Sequence, residues 1–131
     1  MQDTIPAPPK MTALDGGVHD GLTWAVVRAP LYGAVNGYVK LPEDHPWFGM
    51  GYDEIHESDP HLNVHGGLTF ASDGWIGFDT LHDGDWWPDG DQPDYSRHRH
   101  DDWCTHWTQA MVVAETKRLA ERASLIGGVK R

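Results

Sequence analysis

The chain has 131 residues, 20 of them acidic against 10 Lys and Arg, and 39% are hydrophobic. That is one domain's worth of sequence with enough apolar content for a core, which excludes a disordered tail, and no apolar run suits a membrane span. The net charge of −10 opposes direct nucleic-acid binding through a basic footprint, because a phosphate backbone would be repelled.

The first stretch, residues 1–12, carries three of its prolines between Met1 and Lys10 and reads as a flexible or arm-like leader. It lacks the basic and apolar regions of a signal peptide. With Cys104 as the lone cysteine, no intrachain disulfide can form, and a cytoplasmic setting is expected. Leu22–Ala29 is apolar and β-branched between Gly21 and Pro30, and so predicts a strand. Leu31–Leu41 predicts its hairpin partner, kinked or bulged at Gly33 or Gly37. Pro42 to Pro60 reads as a long, acidic loop with one helical turn.

Val64–Ala71 and Trp75–Leu81 predict two further strands, joined by Ser72-Asp73-Gly74, in which Asp-Gly is a strong hairpin signal. His82–His100 reads as a second long loop. Residues 101–126 predict the C-terminal helix, with Asp101 and Asp102 at its positive end. Its apolar stripe is Trp107, Met111, Val112, Leu119, Ala123 and Ile126, and Gly127-Gly128 ends it. The expected fold is α+β: an antiparallel sheet of four to five strands with one long helix on a face, in a single domain over 1–131.

Charge is spread unevenly along this layout. From Glu43 to Asp102 there are 15 acids against only Arg97 and Arg99, together with seven of the nine histidines. If Asp73-Gly74 makes the turn, Ser72 faces Trp75, Thr69 faces Phe78, Gly66 faces Leu81 and His65 faces His82. His65, Asp79, His82, Asp83 and Asp85 then converge at one end of the hairpin, beside the bare backbone of Gly66 and Gly67. His65, Asp79, His82 and Asp85 are the candidate catalytic set. The same four suit a divalent metal such as zinc, manganese or nickel, or an Asp-oriented His acting as general base. Hydrogen-bonded histidines and turn-capping carboxylates are the structural alternative.

A second cluster follows Pro42, where His45, Trp47 and Tyr52 would stand at a pocket mouth, with Trp47 stacking on a flat ring or filling a groove. Trp86 beside Trp87 offers a second ring platform. Arg97 and Arg99 suit an anion such as a phosphate, or neutralise nearby carboxylates. Glu115 lies in the helix stripe, either reaching the site or bridging to Arg118 or Arg122. Cys104 fits an inert buried thiol better than a nucleophile.

Gly37-Tyr38-Val39, His45-Pro46-Trp47, Val64-His65-Gly66-Gly67-Leu68-Thr69-Phe70 and Gly77-Phe78-Asp79 with His82, Gly84 and Asp85 resemble a widespread family of small bacteriophage and prophage proteins. The resemblance implies a bacterial host cytoplasm and an accessory role against host defences, and carries no catalytic roles with it. Three functions fit. The first is a phosphodiesterase-type hydrolase acting on a phosphate-containing, nucleotide-like molecule. The second is a protein that sequesters such a ligand. The third is an acidic DNA mimic that occupies a basic host protein. An exposed sheet edge also allows a homodimer.

Overall fold

The computed structural model describes residues 5–29, 33–81, 85–87 and 105–128. Its strands and helices in chain order are β1 (Ala13–His19), β2 (Leu22–Arg28), β3 (Val35–Lys40), α1 (Tyr52–Ser58), β4 (Phe70–Ser72), β5 (Trp75–Phe78), β6 (Asp85–Trp86), β7 (Thr105–His106) and α2 (Gln109–Gly127). The main sheet is antiparallel throughout, in the order β1-β2-β3-β5-β4, and β6 and β7 form a separate short parallel pair. With α2 packed across β2 and β3, the molecule is α+β as expected.

β2 lies in the sheet interior and is buried on both faces, which explains its unbroken apolar run. Strand alternation divides its side chains. Leu22, Trp24 and Val26 join Val39, Ile76, Phe78, Val112 and Leu119 in the core beneath the helix. Ala25 and Val27 meet Tyr38 and Trp75 on the opposite face, which Met11, Ala13 and Phe70 help to cover. Residues 5–11 lie along the sheet as an arm. Pro8 is buried, Met11 N–H donates to the Pro8 carbonyl at 3.0 Å, and Ile5 occupies the space a side chain at Gly16 would need.

Two hairpins turn on Asp-Gly. Asp20 and Gly21 have φ of 50° and 82°, and Asp73 and Gly74 have 55° and 81°. Positive φ at both central residues matches the right-handed twist of the strands they join. The first closes β1 onto β2 with His19 opposite Leu22, a strand that the sequence reading did not assign. The second places Ser72 opposite Trp75 in the expected register, and Phe70 opposite Gly77.

The remaining elements differ more from expectation. β4 spans only Phe70–Ser72, because the chain before it bends at Gly66 and Gly67, whose φ values are 67° and 80°. The pairings expected for Gly66 and His65 therefore do not form. Of the two glycines at which a kink or bulge is expected, Gly33 has a φ of 69° just before β3, whereas Gly37 sits in regular pairing between Val26 and Phe78. Its role is spatial, since a Cβ there would overlap the Thr116 hydroxyl and the Phe78 ring. The long loop after Pro42 contains α1, two turns rather than one.

α2 starts at Gln109, eight residues later than expected. Thr105 and His106 are taken by β7, and Thr108 is the cap: its side chain accepts from the Met111 N–H at 3.3 Å. Asp101 and Asp102 lie outside the described residues. The C-terminal end is as expected, with Gly128 in the left-handed region at φ 65°. Val112, Thr116, Leu119, Ala120 and Ala123 form the buried stripe, whereas Met111 is exposed. No helix among the described residues is long and apolar enough to cross a membrane.

Candidate active site at His65 and Asp85

The turn that carries His65 is held from two sides. Gly67 N–H donates to the Val64 carbonyl at 2.9 Å, and Leu68 N–H donates to His56 Nε2 on α1 at 2.9 Å. On the other side, the His65 N–H donates to Glu115 Oε2 on α2 at 2.7 Å. The other carboxylate oxygen of Glu115 takes a 2.7 Å bond from Arg118, so both roles considered for this residue are realised. The turn that carries His65 is thereby tied to both helices.

The side chain is oriented separately. His65 Nε2 lies 2.7 Å from Asp85 Oδ1, and the Trp107 indole N–H donates to that same oxygen at 2.7 Å. The Asp85 side chain is 2% exposed and that of His65 is 28% exposed. Asp85 is brought here by the short β6–β7 pairing, which sets it opposite Thr105. The Trp107 ring meets the imidazole edge-on, with centroids 4.7 Å apart at 73°, and lies nearly parallel to Trp87 at 6.3 Å. Trp87 is in turn fixed through its indole N–H to Thr80 Oγ1 at 3.1 Å.

A buried carboxylate bonded to a half-buried imidazole orients the ring and fixes its tautomer. With the Nε2 proton donated to Asp85, the lone pair of the neutral ring is on Nδ1.

Only part of the expected cluster assembles. His65 and Asp85 meet, but Asp79 departs to the other side of the sheet. Phe78 and Thr80 are buried towards the helix, so alternation sends Asp79 to the face of Tyr38. There Asp79 Oδ1 accepts the Leu81 N–H at 3.2 Å. Burial raises the Tyr38 hydroxyl above its ordinary pKa; a bond with Asn36 opposes that shift, and the Asp79 charge adds to it. His65, Asp79 and Asp85 do not bring their ligand atoms within 4.8 Å of one another, so these three do not form a metal set. His82, Asp83, Arg97, Arg99 and Cys104 lie outside the described residues, as does the side chain of Trp86.

The second expected cluster is a piece of core. His45 is 5% exposed, and both its ring nitrogens bond to backbone: Nε2 donates to the Ala123 carbonyl at 2.7 Å, and Nδ1 accepts the Trp47 N–H at 2.9 Å. Trp47, at 2% exposure, presents no open ring face; it is the groove-filling anchor of the two readings. Tyr52 opens α1 and is exposed, away from any of the contacts around His65 described above.

Sequence reasoning missed Trp107 and His56 as supports. Trp107 carried a readable signal, because a buried indole seeks an acceptor for its N–H. His56 carried none, since its partner is a backbone N–H brought close only by the turn at Gly66. No family model, curated protein or solved structure matches the chain.

Proposed function

We propose that the protein is a small hydrolase in which His65, oriented by Asp85, acts as general base on a phosphate-containing, nucleotide-like molecule. The observation that carries this reading is the 2.7 Å contact between a carboxylate 2% exposed and an imidazole 28% exposed. The ring is gripped from the interior while solvent reaches part of it. As the oxygen of an attacking water bonds to phosphorus, the His65 imidazole takes its proton. The ester P–O bond then breaks, and the imidazolium returns the proton to the departing oxygen.

An anionic substrate needs compensation in a chain of net charge −10. Arg97 and Arg99, the cations of the acidic stretch, are the residues proposed to supply it. The phage-like motifs make nucleotide immune signals the first substrates to try. Stacking on a tryptophan receives less support, because Trp47, Trp87 and Trp107 are all buried.

The test is incubation of purified protein with cyclic mononucleotides, cyclic dinucleotides and bis(p-nitrophenyl) phosphate, with products separated by chromatography. Turnover that survives a chelator and is lost in His65→Ala supports the metal-free base. Turnover abolished by the chelator and restored by zinc or manganese assigns the chemistry to a metal instead. A nucleotide bound unchanged and released on denaturation means sequestration, and no turnover of any member overturns the hydrolase.

A further inference from the structure

A second group of chemically capable side chains lies on a different part of the molecule. His19 ends β1, Asp20 begins the first Asp-Gly turn, and Glu121 faces them from α2. One ligand atom from each lies within 4.8 Å of the others, and His19 Nε2 is 2.7 Å from Glu121 Oε2. These three come from two segments fixed to each other. The Ser124 hydroxyl donates to the Asp20 carbonyl at 2.8 Å, locking the turn to the helix one turn beyond Glu121. Asp20 and Glu121 also line an open cleft of about 550 Å³, together with His61, Asn63, Arg118 and Arg122.

We propose that His19, Asp20 and Glu121 bind a divalent cation of the zinc or manganese class. One imidazole nitrogen with two carboxylate oxygens is a mixed donor set that suits those ions better than magnesium or calcium, which take oxygen alone. The 2.7 Å separation of His19 and Glu121 spans a shared proton. A cation replacing that proton needs the two atoms about 3.3 Å apart, given metal–ligand bonds of roughly 2.1 Å. His19 and Glu121 are 30% and 50% exposed, so rotamer adjustments supply that opening without moving the backbone. Three protein ligands leave at least one coordination position for water. An ion bridging Asp20 and Glu121 sits at the cleft wall.

The experiment is calorimetric titration of the full, untagged chain with Zn²⁺ and with Mn²⁺, repeated on Glu121→Gln, His19→Ala and His65→Gln. Cobalt(II) absorption serves as an independent reading of the ligand field. One ion per chain is expected, with affinity lowered at least about tenfold by Glu121→Gln and by His19→Ala. His65→Gln leaves it unchanged. Glu121→Gln keeps the side-chain volume at an exposed position, so the test survives if His19→Ala does not fold. Absence of binding to the unmodified chain overturns the site. So does binding that His65→Gln weakens and Glu121→Gln does not.

Discussion

Two histidines, His45 and His65, attach loops to α2, and they are bonded in opposite ways. Near the C-terminal end of the helix, His45 spends both ring nitrogens on backbone groups and is 5% exposed. Nearer the other end, His65 is tied to the helix through its backbone N–H and Glu115, and its ring bonds to the Asp85 carboxylate. A ring whose two nitrogens are bonded to a carbonyl and an amide is held in one tautomer and serves as a backbone tie. A ring bonded to a buried carboxylate is oriented by a side chain, with part of its surface left to solvent. Residue type alone does not separate structural from chemical histidines; the partners do.

The largest expected effect tests the chemical half of this contrast. On the substrate found by the panel, His65→Ala lowers kcat by about two to four orders of magnitude, the usual worth of a positioned base. Asp85→Asn keeps the shape but can turn an amide N–H towards His65 Nε2, so the ring's tautomer is no longer fixed, and it lowers kcat with little change in KM. Glu115→Gln keeps an acceptor for the His65 N–H and costs much less. If all three variants reduce activity only in proportion to lost stability, His65 is a second His45.

Next comes the structural half. His45→Ala strands the Trp47 N–H and the Ala123 carbonyl in a buried space, which costs about 2–4 kcal/mol. Urea denaturation followed by Trp fluorescence measures it. Turnover per folded molecule stays unchanged, the reverse of His65→Ala. Gly37→Ala is expected to cost about 1–3 kcal/mol by overpacking against Thr116 and Phe78. Because Gly37 lies under the middle of α2, the lost stability comes with weakened docking of the helix, seen as faster amide exchange in residues 112–120.

How legible each region was follows from how local its cause is. The Asp73-Gly74 hairpin was readable because a dipeptide dictates it, and its register followed from counting outward. Asp20-Gly21 carries the same signal, but Gly16 and Gly17 blur the alternation of β1 and the strand went unread. The helix was placed too early because Asp101 and Asp102 look like a helix start, while Thr108, the actual cap, lacks a Glu or Gln three residues later. The proximity of His65 to Asp85 was anticipated from the hairpin, but the structure achieves it by a turn and the β6–β7 pairing. Asp79 was misplaced because nearness along a hairpin does not determine which face a side chain takes.

The smallest effect concerns the ion pair that joins α1 to the helix near His45. Asp59 caps the C-terminal end of α1 and accepts two bonds from Arg122, at 2.8 and 2.6 Å. The Arg122 guanidinium holds the Asp59 carboxyl below its ordinary pKa, partly opposed by burial. The folded state therefore binds this proton less readily than the unfolded chain. Asp59 contributes its full stabilisation above the unfolded value of about 3.9 and loses it as pH falls through the lower folded value. Comparing Asp59→Asn with the unmodified chain by urea titration, the stability gap is constant from pH 7 to 5. It narrows as the pH drops through 4 and closes below the folded pKa. A gap that persists unchanged to pH 2 would mean that the asparagine disturbs packing and that charge is irrelevant. A gap that closes shows that the charge on Asp59, through Arg122, is what holds α1 to the C-terminal half of α2.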